Sequence, residues 1–104
     1  GWYLNPDTKR QEFFPGVNLL VPNNSLVMAV MGGKVLKIGG NIESRNITIQ
    51  HADNLYSHYV GLKEVLVEKD ALIHKGEVLG KSHDNLYFEL RSEDGPLNPV
   101  SIFN

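Results

Sequence analysis

The chain has 104 residues, of which 41% are hydrophobic and 21% charged, and its formal net charge at pH 7 is -2. This length suits one compact domain with a single core, and the small negative charge excludes the basic field that nonspecific binding to nucleic acid or an anionic membrane requires. No apolar run approaches the roughly 20 residues of a membrane-spanning helix.

The first part of the chain differs in composition from the rest. Residues 1–12 are polar and have no clear hydrophobic period, so we expect a lead-in followed by one β domain over residues 13–104. Within that domain, residues 26–31 are apolar on both faces and predict a buried central strand. Residues 47–51 and 86–90 alternate between apolar and polar side chains and predict two further strands.

Turn signals recur at intervals of about ten residues along the chain. Since no segment keeps a helical period for more than about two turns, the pattern predicts an all-β antiparallel sandwich or open barrel. The turn signals are Gly32-Gly33, Gly39-Gly40, Asp53-Asn54 and Asp94-Gly95-Pro96.

From Gly16 onward, nearly all of the chain resembles the M23 (LytM-like, lysostaphin-type) peptidase domain. Each matching motif is weak alone, but their order and spacing together are specific, and they imply the antiparallel β fold of the LytM type. The motifs are Gly16-Val17-Asn18, Val21-Pro22, Gly33-Lys34-Val35, Ile47-x-Ile49-x-His51, Tyr59, Leu62, Val65-x-Val67, Lys75-Gly76-Glu77-Val78-Leu79-Gly80, Phe88-Glu89-Leu90 and Asn98-Pro99.

The metal site of that family is not preserved at the matching positions. The resemblance places its three metal ligands, a His, an Asp and the second His of a His-x-His pair, on Phe14, Asn18 and Tyr87. Phe has no lone pair, neutral Asn lacks the carboxylate charge, and a phenol with a reference pKa of about 10 stays mostly protonated at neutral pH. The two histidines that assist catalysis fall on Gly61 and Asn85.

These replacements imply a domain without enzymatic activity and without a metal or other cofactor, because a catalytic zinc needs about three protein ligands and an open position. A second difference from the family pattern also implies a domain without enzymatic activity. Only residues 81–84 separate Gly80 from Asn85, where active members carry a longer glycine-rich loop that walls one side of the substrate groove. We therefore expect the groove to lack that wall.

Four histidines remain in the chain. We expect His51 to have a structural role, capping a turn at the end of a strand. His58, His74 and His83 are expected at the surface or half-buried, because no His-x-His or His-x3-His pair exists among them.

Among degenerate members, residues 50–59 and 62–65 look most like the stage IV sporulation protein FA branch, with stage II sporulation protein Q as a near neighbour. Members of that branch are membrane-anchored, lie between the mother-cell and forespore membranes, and help to hold an intramembrane metalloprotease inactive. The resemblance implies an extracytoplasmic or intermembrane location, an anchor in the parent protein, and a protein partner that is a membrane-protein complex or a cell-wall hydrolase.

The family lines its groove with the strand face that carries Asn85, Tyr87 and Glu89, so this face is either refilled core or a retained binding surface. The residues that we predict to contact a partner, if the surface is retained, are Tyr56, His58, Tyr59, Asn85, Tyr87 and Glu89.

Three other functions remain open. A degenerate LytM activator of a peptidoglycan amidase needs a parent with a long upstream coiled coil. A biotinyl or lipoyl carrier is a remote alternative: residues 30–35 and 75–79 echo its hairpins, but the modified-lysine triplet is missing. An enzyme is the least favoured alternative, because the carboxylates are scattered among turns and strand ends. These are Glu43, Glu64, Glu68 and Asp70.

Overall fold

The computed structural model describes residues 16–92, which form one seven-stranded antiparallel sheet. The lead-in over residues 1–12, Phe14, the turn at residues 94–96 and the Asn98-Pro99 motif lie outside the described residues. The strands are β1 (Val17–Leu20), β2 (Leu26–Met28), β3 (Gly33–Gly40), β4 (Arg45–Gln50), β5 (Leu55–Val65), β6 (Leu72–Ile73) and β7 (Val78–Ser92).

The spatial order of the strands is β1-β7-β5-β4-β3-β6, and β2 also pairs with β7. Val27 on β2 and Ile73 on β6 come from opposite ends of this sheet and yet belong to the same buried cluster. The sheet therefore curls around a single core, and the all-β antiparallel fold predicted from the sequence is confirmed. Within residues 16–92 the only helical segment is a 3₁₀ turn at Ala52–Asn54, and no helix there is long and apolar enough to cross a membrane.

The core is built by inward-facing residues of β3, β4, β5 and β7, together with residues of the edge strands β2 and β6 and Ala29. Its members are Val27, Ala29, Val35, Ile47, Ile49, Tyr59, Leu62, Ile73 and Leu79. On β7, the side chains of Leu86 and Phe88 pack against this cluster and Leu90 is buried. Because successive strand residues point to opposite faces, residues 85, 87 and 89 then face outward.

Strand β2 is shorter and more exposed than the sequence predicts. The prediction of a buried central strand over residues 26–31 is wrong, because β2 covers only Leu26–Met28 and only Val27 among its residues is buried. Leu26 and Met28 are 56% and 53% exposed. The physical reason is that β2 pairs along one edge only, with the first part of β7, and apolar composition does not distinguish such a strand from a central one.

Strands β5 and β7 are paired along almost their whole lengths, with one large irregularity. Val60 pairs with Tyr87, but Leu62 pairs with Ser82, so that Gly61 alone stands opposite residues 83–86. Residues 81–84, predicted as a short link, are part of the continuous strand β7. Gly61 has a φ of 102°, and a Cβ at this position would lie 2.5 Å from the carbonyl oxygen of Asn85.

We predict that Gly61→Ala is more destabilising than Gly76→Ala. Both glycines have positive φ, 102° and 82°, so alanine costs about 1–2 kcal/mol at either position from backbone strain alone. At Gly61 the added Cβ would also collide with backbone, whereas at Gly76 it would have no neighbour within 4 Å. Urea denaturation of the two variants and the wild type measures the difference, and equal losses would contradict the close approach described for Gly61.

Candidate functional site

The outer face of the sheet, opposite the core, gathers two of the positions predicted to match the family's metal ligands and the two predicted to match its assisting histidines. Asn18 on β1 pairs directly with Tyr87 on β7, and the bulge brings Gly61 beside Asn85. We call Asn18, Gly61, Asn85 and Tyr87 the vestigial groove. The structure thus brings together four of the five positions that the sequence analysis singled out, and the fifth, Phe14, lies outside the described residues.

The side chain of Tyr87 is held by two contacts in this groove. Its ring lies against the backbone of Gly16, where an added Cβ would collide with the ring. Its hydroxyl donates a hydrogen bond to Oε2 of Glu89 at 3.0 Å, while Oε1 of Glu89 accepts a bond from Nε of Arg91. The hydrogen bond to Glu89, together with burial, raises the pKa of Tyr87, so the phenol keeps its proton.

These residues do not fit a zinc ion. A protonated phenol that donates to a carboxylate offers the metal no anionic oxygen, and the neutral amide of Asn18 brings no charge to the site. Among residues 16–92 no group of three or more His, Cys, Asp or Glu side chains is arranged to hold a metal. The described residues of this face offer hydrogen bonding and apolar contact.

A row of polar side chains crosses four strands next to the vestigial groove. Its members are cross-strand neighbours: Lys37 pairs with Thr48, Thr48 with His58, and His58 with Glu89. Oγ1 of Thr48 lies 2.8 Å from Nδ1 of His58. We call these four residues the polar row.

The electrostatics of the polar row depend on burial and on the nearby cations. Burial lowers the pKa of His58, and Arg91 and Lys37 lower it further, while the carboxylate of Glu89 acts in the opposite direction. Burial by itself raises the pKa of Glu89, but hydrogen bonds from Arg91 and Tyr87 outweigh it and leave that pKa below its ordinary value. At neutral pH the row therefore holds a neutral imidazole beside an ionised carboxylate.

One of the six predicted contact residues, Tyr59, is buried and cannot contact a partner. Tyr59 is only 2% exposed and lies in the core, with its ring centroid 5.3 Å from that of Phe88, so its inclusion in a partner surface is corrected here. Residues one position apart on a strand face opposite sides, and Tyr59 pairs with Phe88, not with Tyr87. Asn85 is exposed, and Tyr56, His58, Tyr87 and Glu89 are partly buried on the outer face.

Sequence reasoning missed Leu20 as a residue of this surface. Leu20 pairs with Asn85, shares the outward side of β1 with Asn18, and is 86% exposed. The signal was present, because Leu20 is two residues from Asn18 and strand residues two apart share a face.

The four histidines are placed largely as expected. His74 is exposed, His58 and His83 are half-buried, and His51 is buried at 7% exposure. His51 has a structural role, but its side chain forms no capping hydrogen bond at the turn that follows it. The expectation that it caps a turn is therefore corrected.

His51 instead anchors a chain of buried hydrogen bonds. Its Nδ1 lies 2.7 Å from the carbonyl oxygen of Gly32 and its Nε2 lies 2.7 Å from Oγ of Ser57. Ser57 Oγ is 3.1 Å from the hydroxyl of Tyr59, which accepts a bond from the backbone N–H of Val30. Because a carbonyl can only accept, Nδ1 of His51 carries the proton. The network ties β5 and His51, the residue that follows β4, to Val30 and Gly32.

With the geometry established, comparison with known proteins decides the family. The sequence profile of Peptidase family M23 matches residues 12–99. The chain belongs to Peptidase family M23. It is a degenerate member, because the positions that the resemblance aligns with two of the family's metal ligands hold Asn18 and Tyr87.

Two curated relatives match at the sequence level. The chain is 31% identical over 88 residues to stage II sporulation protein Q of Bacillus subtilis (strain 168), covering 75% of this chain and 31% of that protein. It is 24% identical over 107 residues to an uncharacterized metalloprotease of Buchnera aphidicola subsp. Baizongia pistaciae (strain Bp), covering 95% of this chain and 28% of that protein. The chain thus spans about a third of the length of these relatives.

Solved structures agree with this assignment. A crystal structure of the SpoIIIAH and SpoIIQ complex matches with a TM-score of 0.62 and 27% identity, covering 75% of this chain and 62% of the matched chain. A catalytic-domain mutant of the prophage-encoded M23 protein EnpA from Enterococcus faecalis matches with a TM-score of 0.72 and 19% identity. The match covers 100% of this chain and 89% of the matched chain. The second similarity concerns the fold alone.

We predict that a partial repair restores zinc binding without peptidase activity. The triple variant Phe14→His, Asn18→Asp, Tyr87→His supplies three ligands, so elemental analysis after dialysis should find about one zinc per chain, against well under one for the wild type. Cell-wall hydrolysis should stay absent, because the triple variant still lacks the assisting histidines at positions 61 and 85 and has no loop to position the substrate, and misplacement alone costs about 100-fold.

The control is Tyr87→His alone, which supplies too few ligands and should retain no zinc. Gly61→His is left out of the repair because its backbone conformation disfavours a side chain. Release of cross-link fragments from cell wall by the triple variant would show that the missing loop does not matter.

We predict that protonation of His58 destabilises the fold. Its pKa in the folded protein lies below the ordinary value of 6.5, so its contribution to the free energy of unfolding is fully present above pH 6.5 and is lost as the pH falls through the folded-state pKa. The groups that face it are Thr48, Lys37, Glu89 and Arg91. Between pH 7.5 and 5, His58→Gln should therefore lose less stability than the wild type.

The matched control is His74→Gln, since His74 is exposed and lies outside the polar row. Urea denaturation at several pH values should show that the free energy of unfolding of His74→Gln changes with pH as steeply as that of the wild type. If the free energy of unfolding of His58→Gln changed with pH as steeply as that of the wild type, His58 would not be the group responsible for the pH dependence.

Proposed function

We propose that this domain is a non-catalytic protein-interaction scaffold of a bacterial sporulation regulator, and that the vestigial groove is its binding surface. The observation that carries the proposal is the state of Tyr87. An M23 fold is retained over residues 16–92, while the predicted third ligand position holds a protonated phenol that is hydrogen bonded to Glu89 and packed on Gly16. Selection for hydrolysis does not maintain such a site, whereas selection for a binding surface can.

The comparisons support a protein as the partner. Stage II sporulation protein Q is 31% identical over the shared region, and the related SpoIIQ structures are complexes with SpoIIIAH. By analogy, the partner of this domain is a protein of SpoIIIAH type, and the parent is membrane-anchored with this domain in an extracytoplasmic or intermembrane space. Restraint of an intramembrane metalloprotease, as in the stage IV protein FA branch, is the alternative sporulation role.

The composition of the groove also suits a protein contact. Asn18 and Asn85 present exposed amides, Leu20 presents an exposed apolar side chain, and Tyr87 lies between them. Tyrosine is enriched at interface hot spots, where a rigid ring and a hydroxyl combine apolar contact with a hydrogen bond. Charged residues are depleted at interface centres, and the vestigial groove contains none.

We predict that Tyr87→Ala weakens partner binding by about 2 kcal/mol or more while changing the melting temperature little. The competing interpretation is that Tyr87 only fills the space left by the metal. Its loss should then cost about 2–4 kcal/mol of stability, with normal binding by the folded fraction. Calorimetry and thermal denaturation on the same variant separate the two interpretations.

The probes are the SpoIIIAH-type protein from the same cell and a peptidoglycan amidase, so that the amidase-activator alternative is tested in the same experiment. Leu72→Ala is the control, because Leu72 is 76% exposed on β6 at the far edge of the sheet. Destabilisation with unchanged affinity would count against the vestigial groove as the binding site.

A further inference from the structure

Strand β1 forms an edge of the sheet, and its outer side is not paired with any strand among residues 16–92. All four of its residues, Val17–Leu20, are exposed. Leu19 and Leu20 are 42% and 86% exposed, although apolar side chains of this size are usually buried. An open edge of this kind presents a row of backbone donors and acceptors to another chain.

The hydrogen-bond pattern identifies which backbone groups face outward. In an antiparallel pair, residues alternate between those bonded to the partner strand and those whose N–H and C=O point away from it. The N–H of Val21 donates to the carbonyl oxygen of Asp84 at 3.1 Å, in register with the pairing of β1 and β7. Leu19 and Val17 therefore also face β7, and the N–H and C=O groups of Asn18 and Leu20 face outward.

The two ends of the sheet differ in how they are protected. At the far end, β6 has only two residues, and the ion pair of Lys34 with Asp70, at 3.9 Å, lies beside it. Short strands and charged side chains are the usual devices that prevent edge-to-edge association. Strand β1 carries no charged residue. Charged side chains therefore protect the edge at β6 but not the edge at β1.

We propose that the outer edge of β1 is a strand-addition site, which accepts an extended, uncharged segment of a partner protein through the backbone N–H and C=O groups of Asn18 and Leu20. The added strand continues the sheet, and its side chains pack on Leu20 at the outer face and on Leu19 at the opposite face. Main-chain hydrogen bonds supply affinity in this mode, and alternate side chains supply specificity.

The occupant is a partner segment and not a second copy of this chain. Proline lacks the N–H that a sheet ladder needs, and Pro15 and Pro22 confine any pairing to residues 16–21. A symmetric pair of copies would share only this short stretch, whereas a stable interface buries upwards of about 1,000 Å². A partner strand gains further contact, because Asn18 and Leu20 adjoin Tyr87 and Asn85 on the outer face.

Two proline variants test the backbone directly. Leu20→Pro removes an N–H that faces outward, so it should leave the melting temperature nearly unchanged and abolish strand addition, since proline is tolerated at a sheet edge where the N–H faces solvent. Leu19→Pro removes an N–H that faces β7 and should lower the melting temperature markedly. Leu20→Ala keeps the backbone donor and separates the contribution of the side chain.

The probe is the capped, uncharged peptide acetyl-Thr-Val-Thr-Val-Thr-amide, titrated into the whole domain to about 1 mM, the range of weak binding, with amide exchange followed by NMR. The Asn18 and Leu20 amides should exchange freely in the absence of peptide and become protected in its presence, by at least threefold. The same peptide with proline at its centre should protect them less, and Leu20→Pro should remove the effect.

Three results would overturn the proposal: no protection of these amides at the highest peptide concentration, unchanged peptide binding by Leu20→Pro, or protection that appears without peptide as the domain concentration rises. The last result would identify a second copy as the occupant. Because Tyr87→Ala tests the vestigial groove and Leu20→Pro tests the edge, failure of one proposal is distinguishable from failure of the other.

Discussion

The pairing of β5 with β7 is the constraint on which the rest of this domain depends. Both strands are long, 11 and 15 residues, and together they give Tyr59, Leu62, Leu79 and Leu90 to the buried interior. Their register also sets the outer face, because a slip of one residue would exchange every inward side chain for an outward one. The core and the vestigial groove are therefore two consequences of the same register.

The bulge at Gly61 shows how the pairing of β5 with β7 accommodates unequal strand lengths. The chain passes from Gly80 to Asn85 without leaving the sheet. The surplus residues 83–86 are accommodated opposite Gly61, whose positive φ lets the backbones approach closely. Bulges of this kind bend a strand and redirect its side chains, and here the bulge directs residues 84–86 toward pairing with β1 and Val21.

Two of the three predicted ligand positions, Asn18 and Tyr87, lie outside the buried core. Tyr87 is hydrogen bonded to Glu89, which also binds Arg91, so the outer face keeps a connected set of polar contacts in place of metal coordination. A buried or half-buried polar group without a partner is expensive. The tyrosine, the carboxylate and the guanidinium avoid that cost by satisfying one another, and they leave the amides of Asn18 and Asn85 exposed for other contacts.

The sequence by itself determined the fold class and the family, because these depend on local period, turn residues and the order of short motifs. It located β4 and the later part of β7, since alternation there matches the pleat, although β4 ends at Gln50 and β7 begins at Val78. It also singled out Asn18, Gly61, Asn85 and Tyr87; the structure places Asn18 beside Tyr87 and Gly61 beside Asn85, and their role as a site stays a prediction. The properties that the sequence determined are those of single positions or of neighbours along the chain.

Only the tertiary structure decided which of those residues reach the surface and what they touch. Tyr59 and Tyr87 are both aromatic residues of predicted strands, yet the cross-strand register buries the first and leaves the second on the outer face. Likewise, the open edge at Leu20 and the exposed side of β2 follow from which strands have neighbours. Strand pairing is set by contacts far apart in sequence, and no local pattern of side chains contains that information.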